Sequence, residues 1–187
     1  MRHTAIAAML ILGAASIYGD ESRVRMTFSG TSETAATNLQ QPNTSNDEDH
    51  FAGDGTLGKF SLHQIRAVSN SPDPTQTCPA GSQIPFSEPS GAGVFRFEDG
   101  SLLEVTLEKG LDCIDPAAKQ ALCTISFTIS GGTRRFKHAS GTLIFTEVAR
   151  PVLFDALGNP VFFDATGEFT GTIAGVAGQQ HEHEDNR

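Results

Sequence analysis

The last third of this chain consists of short alternating strands separated by glycine turns. It runs from Ser130-Gly-Gly-Thr to Gly167-Glu-Phe-Thr-Gly-Thr-Ile-Ala-Gly175 with no helical spacing between. Period-two alternation puts apolar side chains on one face of a strand and polar ones on the other. Over Ala121–Ile129, Cys123, Ile125, Phe127 and Ile129 share a face, against Thr124, Ser126 and Thr128. Leu103, Val105 and Leu107 oppose Glu104, Thr106 and Glu108, and Phe169 and Ile173 oppose Glu168, Thr170 and Thr172. Near the start, Val24, Met26 and Phe28 alternate with Arg25, Thr27 and Ser29.

Further strands are expected over Leu57–Val68, Val94–Glu98, Gly141–Val148, Val152–Phe154 and Val161–Phe163. Asp99-Gly100 is a hairpin signal because such a turn needs positive φ, and Leu157-Gly158-Asn159-Pro160 is another turn. A helix has only Pro116–Gln120 to stand on, one turn's length. About eight strands with one apolar face must close or pair into two sheets. The expected fold is all-β: an antiparallel, closed, calycin-like barrel of about eight strands, with a sandwich as the rival. Thirteen phenylalanines and no tryptophan suit a filled interior. Long polar loops are expected over 30–56 and over 69–92, the second holding Pro72, Pro74, Pro79, Pro85 and Pro89.

Residues 1–19 read as a secretory signal peptide. A short polar start with Arg2 and His3 precedes an apolar run, Ala5–Ala15, and acidic residues begin at Asp20. That run is shorter than the ~20 residues a spanning helix needs, and its order is that of exported chains. A single barrel domain is expected over 20–175 and an acidic, histidine-bearing tail over 176–187. The expected location is secreted or periplasmic, with no membrane insertion after cleavage. The net charge of -9 becomes more negative on removal of Arg2, leaving 12 basic against 22 acidic side chains. Such a surface repels phosphate backbones, so nucleic acid is excluded as a partner. Three cysteines in an exported chain imply one disulfide and one thiol. Cys78–Cys113 is the expected bridge, with Cys123 buried and free; Cys113–Cys123 closing a hairpin is the rival.

Chemical motifs are sparse. His181-Glu-His-Glu184 reads as a solvated tail, Asp47-Glu-Asp49 with Asp54 as an acidic loop, and His63 and His138 as structural histidines. No metal or cofactor is expected. Gln64 and Glu147 are the inward polar candidates on otherwise apolar faces, where a cyclase would need a group to stabilise developing charge.

Around the glycine turn the sequence resembles the allene oxide cyclase and dirigent-type barrels, in particular a small secreted bacterial subgroup. Gly131, Gly132, Thr133, Arg135, Phe136, Ala139 and Gly141 carry the resemblance, while Arg134 and His138 stand where the family has glycine. Gly167-Glu-Phe-Thr-Gly-Thr-Ile resembles its closing strand and Gly55-Thr-Leu-Gly-Lys-Phe60 an early one. The resemblance implies an eight-stranded antiparallel barrel and, by analogy with the plant proteins, a homo-oligomer. Its plant members isomerise a lipid epoxide or steer phenoxy-radical coupling; no catalytic residue of theirs maps here. The expected function is non-catalytic binding of a small apolar ligand or a partner, outside the cell or in its envelope. An isomerase or cyclase and a structural surface protein are the alternatives.

Overall fold

This computed structural model describes residues 21–80 and 83–178, and nine strands run through them. They are β1 (Ser22–Thr34), β2 (Thr44–Gly55), β3 (Phe60–Ser69), β4 (Ile84–Glu88), β5 (Ser90–Phe97), β6 (Leu102–Asp115), β7 (Gln120–Gly132), β8 (Ser140–Phe154) and β9 (Pro160–Ala174). Hydrogen-bonded neighbours follow the order β6-β5-β3-β2-β1-β9-β8-β7, and β7 returns to β6. All pairs are antiparallel, so eight strands close into a barrel and the sandwich alternative falls away. The ninth, β4, extends the wall beyond β5. Only Pro89, which has no N–H to donate, separates the two, and both lie on β6 in one register. The leader expected over 1–19 and all but the first three residues of the expected tail lie outside the described residues.

Two expectations need correction. The loop expected over 30–56 is the end of β1, a short connection and the whole of β2, which pairs with β1 and β3 along its length. The loop expected over 69–92 contains β4 and the start of β5. β2 escapes the apolar alternation because its inward positions include Asp47 and Asp49; β4 is short, contains Pro85 and is followed by Pro89. Val152–Phe154 and Val161–Phe163 are the far ends of β8 and β9, which form one long hairpin.

Phenylalanine fills one half of the interior. Phe28 stacks on Phe51 at 4.5 Å and on Phe145 at 5.2 Å, and Phe95 meets Phe169 edge-on at 4.9 Å. Each such pair adds about 0.5–1.5 kcal/mol beyond burial. That end of the barrel is stoppered by a 3-10 turn, Arg134–Phe136. Phe136 is fully buried beside Phe97, and the Arg135 guanidinium lies over both rings while pairing with Asp99 at 2.9 Å. A Cβ on Gly132 would come within 2.7 Å of Phe136 Cβ and of the Leu102 carbonyl, so the glycine lets the stopper seat. The glycine-rich signature of the sequence is therefore architectural. Of the two residues standing in for glycine, Arg134 has φ +52° and holds the Asp99 carbonyl through its guanidinium; His138 is not in the left-handed region.

The Cys78–Cys113 disulfide forms as expected, and Cys123 is buried and free. The bridge ties the β3–β4 connection to the end of β6. Closing a loop with a sequence separation of 35 residues stabilises on the order of 3–4 kcal/mol in the loop-entropy model.

Candidate functional site

The other half of the interior is polar. Gln64 and Arg66 continue the inward phase of Phe60 and Leu62 on β3, and in the sheet register they face Asp49 and Asp47 of β2. Glu147 continues the phase of Leu143 and Phe145 on β8 and lies opposite Cys123 of β7. Asp112 arrives differently. A bulge between Leu107 and Lys109 shifts β6 against β7, so the inward phase passes from Leu107 to Gly110 and Asp112. Glu88 enters from β4, opposite Gly110.

Arg66 is the hub. Its Nη1 donates to Glu88 Oε1 at 2.6 Å and to Cys123 Sγ at 2.9 Å, and lies 3.6 Å from Asp112 Oδ1. Its Nη2 donates to Glu147 Oε2 at 3.2 Å. Its Nε lies 3.0 Å from Asp49 Oδ2, close enough to pair as ions but out of line for a hydrogen bond. Asp49 Oδ2 also accepts from Gln64 Nε2 at 2.6 Å, and the Cys123 thiol donates to Glu88 Oε1 at 3.2 Å. Arg66 is 4% exposed, and Asp49, Glu88 and Glu147 are more deeply buried still.

One guanidinium cannot neutralise five carboxyl groups in so dry a place. Burial drives the Glu147 carboxyl up to about 8 and that of Asp47 up to about 6, against the pull of Arg66 in both. Burial also raises Glu88 well above the carboxylate range, and raises the Cys123 thiol with help from Asp112 and Glu88. For Arg66 burial acts in the opposite sense, but Asp49, Glu88, Cys123 and Glu147 outweigh it and keep the group charged. The buried oxygens Asn46 Oδ1, Asp49 Oδ1, Gln64 Oε1, Glu88 Oε2 and Glu147 Oε1 lack partners. An acceptor surplus and carboxyls that retain protons are two sides of one condition. Chemically the layer stores protons around a fixed cation. A thiol with a raised pKa is no nucleophile.

Gln64 and Glu147, the two inward polar candidates, do meet in this layer. Arg66, Glu88 and Asp112 escape the sequence reading, and Asp47 and Asp49, read there as an acidic loop, lie instead on β2 facing the interior. Arg66 shares the phase of Gln64 and was within reach of the alternation; Asp112 was hidden by the bulge.

Outside the barrel an apolar groove of about 340 Å³ runs between the β6–β7 turn and the far end of the β8–β9 hairpin. Ile114, Pro116, Ala121, Pro151, Phe154, Pro160 and Phe163 line it, with Asp115, Lys119 and Gln120 at its edge. β8 pairs with β7 only as far as Ala149, so its last residues form a free edge. Val152, Leu153 and Phe154 are each more than half exposed, and Leu157 is 88% exposed at the tip.

No family model matches the chain, and no curated protein matches it. Among solved structures it is similar to a pterocarpan synthase dirigent protein, at 11% identity and a TM-score of 0.37, over 90% of this chain and 99% of that one.

Proposed function

We propose that this chain is a non-catalytic binding barrel, exported by the leader expected over 1–19, that takes a small apolar ligand in the groove beside the β8–β9 hairpin. The observation that carries this is the contrast between a closely packed interior and an apolar groove open on the outside. Phenylalanine and the 3-10 stopper occupy one half of the barrel, and the enclosed Arg66 layer occupies the other. Glu147 and Gln64 are 3% and 2% exposed, and their polar ends are engaged by Arg66 and Asp49, which weighs against the isomerase reading. The groove is open, mainly apolar and about 340 Å³, within the range of roughly 300–1,000 Å³ common to ligand sites. The disulfide suits an oxidising compartment, and no helix among the described residues is long and apolar enough to cross a membrane.

The test is a titration of the processed chain with 1-anilinonaphthalene-8-sulfonate, followed by amide chemical shifts. Shifts should concentrate in residues 114–121 and 151–163, and Phe154→Asp should weaken binding at least tenfold without altering the thermal melt. Shifts spread instead over Phe95, Phe145 and Phe169 would transfer binding to the interior and revive the cyclase reading.

A further inference from the structure

The outer wall of β2 and β3 carries a second cluster, separate from both the interior and the groove. His50 lies directly opposite His63 in the antiparallel pair, and Glu48 shares their outward face one step along β2. The two imidazoles stack with centroids 4.5 Å apart and planes 22° apart. Both Nε2 atoms approach one oxygen: Glu48 Oε1 is 2.6 Å from His63 and 3.3 Å from His50. One ligand atom from each residue lies within 4.8 Å of the other two. The side chains are 27%, 50% and 61% exposed for Glu48, His50 and His63, so an ion can reach them from solvent.

We propose that Glu48, His50 and His63 form a binding site for zinc or a similar first-row divalent cation, with three protein ligands and a fourth position open. Two neutral imidazoles and a carboxylate are a donor set that suits zinc, as well as cobalt, nickel and copper. Ligands about 2.0–2.2 Å from a tetrahedral zinc stand about 3.3–3.5 Å from each other. The His50–Glu48 separation of 3.3 Å already meets that spacing, while His63 has to back away from 2.6 Å and the stacked rings have to tilt so that their in-plane lone pairs converge on one ion. Both imidazoles are at least half exposed and can make that rotation without disturbing the strands. Neighbouring strands β2 and β3 hold the ligand backbones rigidly. The histidines border a shallow depression of about 520 Å³ on the barrel wall that also includes Ser29, Ser61 and Arg96. The open position therefore suits water or a small anion, which Arg96 would favour. Without a cation, the same geometry is a Glu48 oxygen hydrogen-bonded to His63 Nε2 with His50 Nε2 3.3 Å away, and solution measurements separate the two cases.

The processed full-length chain, stripped by chelator, is titrated with Co²⁺ and then Zn²⁺. One equivalent of Co²⁺ should bind with the visible bands of a four-coordinate ion, be displaced by Zn²⁺, and leave the protein with a higher melting temperature. His50→Ala and His63→Ala should each weaken uptake at least tenfold and abolish the thermal gain. Glu48→Gln should weaken it less. The paired variant His181→Ala, His183→Ala should bind as the parent does. Uptake lost in that tail variant but intact in His50→Ala would place the ion on the tail and overturn the proposal. So would the absence of any saturable uptake up to millimolar metal.

Discussion

At the scale of the residue, Glu147 connects the buried layer to a bulk measurement. Its pKa is 4.5 unperturbed and about 8 in the fold, with burial as the main cause. A carboxyl raised on folding binds more protons in the native state than in the unfolded chain. Its contribution to stability is therefore whole below the unfolded pKa and is lost as pH rises through the folded one. Asp47 does the same over a lower window, since its folded value is about 6. Between pH 6.5 and 8 Glu147 and Glu88 both act in this direction. Glu147→Gln removes one titration while keeping the shape and an acceptor for Arg66. The parent should lose stability with rising pH more steeply than Glu147→Gln, by about 1 kcal/mol per unit. Urea midpoints at four pH values in that window give the comparison. Parallel slopes would mean that Glu147 is ionised in the native protein.

At the scale of the element, β2 and β4, two of the strands that bring acids into the polar layer, are the ones that sequence alternation describes worst, while β3 and β8 are legible. β7 reads cleanly because its inward face is Cys, Ile and Phe, whereas β9 reads only at its two ends, Val161–Phe163 and Glu168–Ala174. β2 reads as loop because inward Asp49 and Asp47 replace the apolar residues that signal a half-buried strand. β6 reads correctly as far as Leu107, after which the bulge inverts its phase and brings Asp112 inside. The position of a bulge depends on pairing with a distant strand, which no local pattern records. β4 depends on a similar long-range fit. A Cβ on Gly110 of β6 would lie 2.6 Å from Glu88 Oε2 and 2.8 Å from Glu88 Cβ. Gly110→Ala must push β4 off β6 or displace the Glu88 carboxyl from Arg66. Overpacking of this kind costs about 1–3 kcal/mol, read as a lower urea midpoint. A variant as stable as the parent would show that β4 moves freely against β6.

At the scale of the whole molecule, closure depends on the first and last strands. β1 pairs with β9 from Ser22 opposite Ile173 through Glu33 opposite Phe162, so the two ends of the barrel chain finish side by side. The strand alternation implied a closed sheet but carried nothing about which strands meet, because partnership is a property of the assembled barrel. Adjacent ends make a direct test available. A short glycine-serine linker from Gly178 to Glu21 can join them, and new ends can open between Leu157 and Gly158 at the hairpin tip. Leu157 is almost wholly exposed. The bonds lost there are local ones, from the Leu157 and Asn159 backbone N–H groups to Asp155 Oδ1, each 2.8 Å and exposed. Exposed loop tips are where permutation succeeds. Opening the β8–β9 hairpin turns a local pairing into a distant one, so refolding should slow. The barrel itself should survive, with the same far-UV circular dichroism, a single cooperative melt, and a stability within about 3 kcal/mol of the parent on loop-closure grounds. A permutant that melts without cooperativity would mean that the β8–β9 hairpin must form first as a continuous unit, and that the β1–β9 seam cannot hold the barrel shut without it.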